Sequence, residues 1–133
     1  MAEGKFGTAF NCMDGRVQLP VINWMKEKYR LDYIDMVTEP GIDKVLAAGT
    51  ANQLEALKAR AQISVNRHGS RIIVIAGHDD CAGNPVTPKV HRAHLLKAVE
   101  KVRAWKLPVE KIVPVWINSD WKIEIIAVKD HLE

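Results

Sequence analysis

The sequence predicts an α/β protein: a doubly wound, mostly parallel sheet with an antiparallel edge strand and helices on both faces. Three observations carry this expectation. Short β-prone runs alternate along the chain with segments whose apolar residues recur at helical spacing. Residues 71–76 (RIIVIA) are almost continuously apolar, as a central strand covered on both faces should be. The last two β-prone runs are separated only by a turn at Asn118-Ser119-Asp120, too short for a crossover, so they should pair antiparallel.

Taken in order, residues 5–11 (KFGTAFN) form a short aromatic strand that ends at Cys12. Residues 20–29 are helical, with Pro20 suited to a first turn. Residues 33–37 (YIDMV) are the second strand, stopped by Glu39-Pro40-Gly41. A long helical region follows over residues 42–66, with Leu46, Leu54, Leu57 and Ala61 as its apolar stripe, a possible break at Gly49-Thr50 and a stop at His68-Gly69. The central strand then runs to Gly77-His78. Thr87-Pro88 caps a further helix reaching about Trp105, and residues 112–117 and 122–128 make the last two strands. Strands joined by helices should be parallel with right-handed crossovers.

At 133 residues, with 47% hydrophobic and 26% charged side chains, the chain reads as a single globular domain over residues 1–133. A domain of this size buries about two-thirds of its unfolded surface, so a metal is not needed as a staple. The net charge of +3 comes from 19 basic and 16 acidic residues spread through the sequence, which fits a mixed solvated surface. No reader motif or basic-aromatic stripe suggests nucleic acid. The first ten residues lack the apolar core of a signal peptide, and no apolar run approaches the ~18 residues that cross a bilayer, so no membrane partner and a cytoplasmic location are expected. Two cysteines with a nearby histidine point to metal or redox chemistry in such a setting, rather than to one disulfide.

The site-like residues fall in two segments. Asn11-Cys12-Met13-Asp14-Gly15-Arg16 follows the first strand, and Gly77-His78-Asp79-Asp80-Cys81 follows the third. Both lie at carboxyl ends of strands, where open α/β sheets bind ligands at a topological switch point. If strands one and three are neighbours, Cys12, His78 and Cys81 converge. Two thiolates and an imidazole are a sound donor set for Zn²⁺, and three protein ligands leave a fourth position for a water whose pKa falls to about 7. Asp14 is near enough to compete for that position, while Arg16 can hold its carboxylate in a bidentate pair instead. Asp14 on Arg16 would open the metal, and Asp14 on the metal would close it. A salt bridge that caps the next helix is the plainer role for the same pair.

C-x-D-x-R followed by H-x-x-C resembles the zinc signature of the β-class carbonic anhydrases. The resemblance is carried by Cys12, Asp14, Arg16, His78 and Cys81, with Gly77 before the histidine and Ala82-Gly83 after the last cysteine, and the α/β layout is similar over most of the chain. It implies reversible hydration of CO2 to bicarbonate by zinc hydroxide, with Asp14 orienting the hydroxide. It also implies a homo-oligomer, a dimer or a tetramer, with metal sites near the subunit interface. Hydrolysis of carbonyl sulfide or carbon disulfide on the same site, and a non-catalytic zinc-binding domain, are the alternatives. Eleven residues precede Cys12, fewer than the family's N-terminal helices need, and Thr38-Glu39-Pro40-Gly41 stands where the family usually has R-x-A-G.

Among the remaining polar residues, His91 and His94 share a helix face, and they, His68 and His131 are expected as surface histidines. Asp79 and Asp80 are expected to bond ligands, backbone or a helix start. Trp24, Trp105, Trp116 and Trp121 are expected to be core or interface anchors.

Overall fold

A computed structural model describes residues 3–128. Among the described residues, five strands and four α-helices alternate in the expected order. These are β1 (Phe6–Asn11), α1 (Gln18–Tyr29), β2 (Tyr33–Thr38), α2 (Ile42–Ala48), α3 (Ala51–Gln62), β3 (Ile72–His78), α4 (Pro88–Arg103), β4 (Lys111–Ile117) and β5 (Ile123–Ile125). The sheet order is β2-β1-β3-β4-β5, parallel except for the β4–β5 edge pair. All seven residues of β3 are buried, in keeping with its unbroken apolar run.

The period of two along the strands sorts the core into two layers. Phe10, Ile73 and Ile75 face α2, α3 and α4 through Leu46, Leu57, Leu95 and Val99. Ala9, Val74, Ala76, Val115 and Ile117 face the opposite side, where α1 supplies Val21 and Met25. The chain leaves β1 toward β2 by way of α1, and leaves β3 toward β4 by way of α4 on the other face. The switch point therefore lies between β1 and β3, whose carboxyl ends carry the two segments singled out in the sequence.

The possible break at Gly49-Thr50 is present, and two further local features differ from expectation. The helical region 42–66 is broken at Gly49, because Thr50 starts a new helix with a complete capping box. Its hydroxyl accepts from Gln53 N–H, and the Gln53 side chain accepts from Thr50 N–H. The region then ends in a π-helical turn, Ile63–Arg67, which buries Ser64 against Thr8 and Val65 in the core. The last strand is three residues instead of seven. Ile126 N–H donates to the Pro114 carbonyl, but Pro114 has no N–H to return, so the ladder stops there. No helix among the described residues is long and apolar enough to cross a membrane.

Candidate metal centre

Cys12 ends β1, and the turn that follows is built by two side chains. Asn11, fully buried, donates to Val17 O at 3.1 Å and accepts from Cys12 N–H at 3.0 Å. Gln18 donates to the carbonyls of Cys12 (2.7 Å) and Asp14 (3.0 Å). The Cys12 sulfur is thereby turned inward, into the layer lined by Ala76 and Val17. His78 ends β3, and Cys81 lies three residues on. In this short loop Asp80 takes the left-handed region at φ 56°, which a short polar side chain tolerates better than most.

These two strand ends meet. One donor atom from each of Cys12, His78 and Cys81 lies within 4.8 Å of the other two, and the two sulfurs are 4.0 Å apart. All three residues are buried, with 4%, 1% and 5% of their surface exposed. The imidazole has only one orientation of its proton. Nδ1 is 2.7 Å from the Asp79 carbonyl, which can only accept, so Nδ1 carries the hydrogen. Nε2 is then a bare lone pair, buried and without a hydrogen-bond partner among the described residues. The three residues can hold a metal ion.

The electrostatics fit ligands waiting to be shared. The neighbouring Cys81 thiol draws the Cys12 pKa down to about 4 against the opposing effect of burial, with His78 and the backbone N–H groups of Gly41 and Asp14 adding to the pull. Cys81 is pushed up by the Cys12 thiolate and by burial, while the backbone N–H groups of Asn84 and Gly83 favour its ionised form. Burial disfavours a charge on His78, yet the Cys12 thiolate and the Asp79 carbonyl outweigh it and raise its pKa.

Asp14 and Arg16 stand beside this group, and Asp14 is outside the set of converging donors. The carboxylate is gripped by Arg16 through Nη2 (2.7 Å) and Nε (3.0 Å), and it accepts the Arg16 N–H at 2.9 Å, capping a 3-10 turn at Gly15–Val17. Hydrogen bonding from Arg16 holds the Asp14 pKa down at about 2. Pairing and capping coexist here. Arg16 also donates to the Asp80 carboxylate (3.2 Å) and carbonyl (3.1 Å), and its guanidinium lies 4.8 Å from the Trp121 ring centre. Asp80 thus bonds across to the first loop, and Trp121 anchors the site's rim. Two open clefts, one beside Tyr29, Val102 and Ile126 and one beside Phe6, His68 and Arg71, lie at the opposite end of the strands and are not lined by these residues.

Three histidines expected at the surface are partly or fully buried. His91 is 1% exposed, because its helix face turns into the sheet, and its Nδ1 meets the equally buried Asp43. His68 is half-buried, bonded to Asp35 at 2.7 Å and stacked on Phe6. His94 is partly buried beside Asn84. His131 lies outside the described residues. Asp43, Asn84 and Gln18 are site-supporting residues that the sequence reading passed over, and Asn11 was named only as part of the first segment.

The Cys81 loop also depends on a backbone contact. Gly41 has φ +59°, and a Cβ there would lie 2.6 Å from the Gly83 carbonyl oxygen. Gly41→Ala should cost about 2–4 kcal/mol, from left-handed strain together with displacement of the Cys81 loop. Gly15→Ala, with nothing within 4 Å of the added carbon, should stay within about 0.5 kcal/mol. Urea midpoints of the two variants, read side by side, check the contrast.

No curated protein matches the chain. The family described as "Putative carbonic anhydrase" matches residues 2–127, and that span contains both ligand loops and all five strands. With the fold, the donor group and a match over nearly its whole length in agreement, the chain belongs to this carbonic anhydrase family.

Proposed function

We propose that the protein is a zinc lyase that reversibly hydrates CO2 to bicarbonate and a proton, with Cys12, His78 and Cys81 as the metal ligands. The observation that carries this reading is the His78 Nε2 lone pair. Leaving such an atom buried and unpaired costs about 1–3 kcal/mol. A cation shared with two neighbouring sulfurs removes that cost. Two thiolates and an imidazole suit borderline-soft zinc better than the hard ions magnesium or calcium. Zinc bound there supplies Lewis acidity and brings the pKa of a coordinated water to about 7.

The chain's own residues supply the rest. Cys12 and Cys81 balance the charge of a divalent ion, and the Asp79 carbonyl fixes the His78 tautomer. Arg16 keeps Asp14 ionised and clear of the donor group, which leaves a fourth position to water. From there the carboxylate can accept a hydrogen bond from the attacking hydroxide and so orient it. Two thiol ligands suit a reducing, cytoplasmic setting. Exposed Met13 and Leu19, either side of Arg16, offer apolar surface for a homodimer contact beside the site, which light scattering would test.

Stopped-flow hydration with a pH indicator on zinc-loaded protein at alkaline pH tests the activity. A rate above buffer that disappears with chelator is expected. Buffer-level rates with zinc confirmed bound would overturn the proposal, and sulfide release from carbonyl sulfide or carbon disulfide would redirect it to those linear electrophiles.

A further inference from the structure

Behind the donor group lies a second buried polar cluster that binds no substrate in the account above. Asp43, Asn84 and His91 are each 1% exposed. They come from α2, from the loop after Cys81 and from α4, and are 41 and 48 residues apart along the chain. Three such groups in a core this apolar need a use.

The hydrogens can be assigned. A carboxylate only accepts, so His91 Nδ1 carries a proton toward Asp43 Oδ2. Asp43 Oδ1 accepts from Lys44 N–H at 2.9 Å and from the Asn84 amide at 3.1 Å. That amide has two hydrogens and three neighbours. His91 Nδ1 at 3.4 Å already carries its own proton and cannot accept, so the second hydrogen goes to His94 Nδ1 at 3.0 Å. The His91 Nδ1 hydrogen and both Asn84 amide hydrogens, the buried donors of this set, are each matched to an acceptor. Buried networks with all members satisfied rigidify what they join, and partly satisfied ones do not.

What the network joins is the metal loop. Asn84 follows Cys81 by three residues, in the same loop. Its side chain is moored at the same time to α2 through Asp43 and to α4 through His94. Gly83 packs against Pro40 and Gly41 with no room for a Cβ. Asp43 Oδ2 also approaches β3 so closely that a Cβ on Gly77, the residue before His78, would lie 2.7 Å from it. The cluster therefore touches the elements that carry two of the three donors.

We propose that Asp43 and Asn84, braced by His91 and His94, are positioning residues for the metal centre: they fix the Cys81 loop and so set how tightly the ion is held. The proposal rests on the reading that Cys12, His78 and Cys81 bind a metal. It assigns Asn84 a role that no ligand motif contains, because the residue acts through the loop and not on the ion.

The test measures zinc affinity by chelator competition and the visible spectrum of the cobalt-substituted protein, for wild type, Asn84→Ala and His94→Ala. The melting temperature of each metal-free form is the folding control. Asn84→Ala should weaken zinc binding about 10–100-fold, the range for lost support behind a ligand, and should shift the cobalt bands. His94→Ala removes only a partly buried acceptor on a helix, so the variant should fold, and its loss should fall between wild type and Asn84→Ala. A merely structural role would lower melting temperature while leaving affinity and spectrum of the folded protein unchanged. Variants within about twofold of wild type, with an identical cobalt spectrum, would overturn the proposal. If Asn84→Ala does not fold, His94→Ala decides by the same criterion. Wild type that takes up no zinc would overturn the metal reading itself, and the proposal with it.

Discussion

Cys81→Ser is expected to release zinc while leaving the metal-free fold intact. Binding of about 10–16 kcal/mol spread over four ligands assigns each roughly 3 kcal/mol, so losing one thiolate should weaken affinity by at least ~100-fold. The serine hydroxyl is close in size to the thiol and is not ionised near neutral pH, so it neither balances the ion's charge nor offers a soft donor. Cys81 is buried against Cys12 and Ala76, in the layer packed on α1, and the exchange removes little apolar area there. Two measurements separate metal loss from unfolding. Zinc per chain after dialysis should fall toward zero. The rise in melting temperature that zinc gives wild type, about 2.7 kcal/mol of stabilisation at a concentration 100 times the dissociation constant, should disappear. Full zinc retention in Cys81→Ser would show that this thiolate is not a ligand.

Asp14→Asn should do the opposite: keep zinc and lose turnover. Asparagine is as good a cap as aspartate, so its side-chain oxygen can still accept the Arg16 N–H and hold the 3-10 turn. What disappears is the charge. A neutral amide oxygen is a weaker acceptor for the attacking hydroxide than a carboxylate, and the amide NH2 group confronts the Arg16 guanidinium in place of a second acceptor. Loss of a preorganised hydrogen-bonding partner of the reacting group lowers rates by about 10²–10³-fold, and kcat/KM for CO2 should fall by that range at unchanged zinc content. Wild-type turnover in Asp14→Asn would remove the orienting role given to this carboxylate.

The legible parts of the molecule are those whose signal is local. The apolar run Ile72–Ala76 announced a strand covered on both faces, and Thr87-Pro88 announced a helix start; β3 and α4 stand as expected. The break at Gly49-Thr50 could be allowed for because glycine disfavours a helix interior, and the capping box of Thr50 and Gln53 that the structure adds is equally local. Cys12, His78 and Cys81 could be grouped on the condition that strands one and three are neighbours and by their resemblance to a known signature, and β1 does pair with β3. The shortened last strand was readable in principle. Pro114 is visible in the sequence, but its effect falls on a partner whose register the sequence does not state.

His91 also had a local signal that a residue-type argument obscured. It lies four, seven and eleven positions before Leu95, Ala98 and Val102, on the apolar stripe of α4, so periodicity alone places it in the core. Asp43 and Asn84 had none. Aspartate in a first helical turn ordinarily reads as a partner of the helix dipole, and asparagine in a glycine-containing loop as a turn former. Only the packing of α2 against α4 and against the Cys81 loop turns the two into partners. Contacts made at separations of 41 residues leave no pattern in either neighbourhood.

The central claim, that one ion is shared by a thiolate from the first loop with an imidazole and a thiolate from the second, is tested most directly by X-ray absorption at the zinc edge of the loaded, reduced protein. The account predicts two sulfur neighbours at about 2.3 Å, with the remaining shell of light atoms near 2.0–2.1 Å. A shell without sulfur, or with a single sulfur, would contradict it.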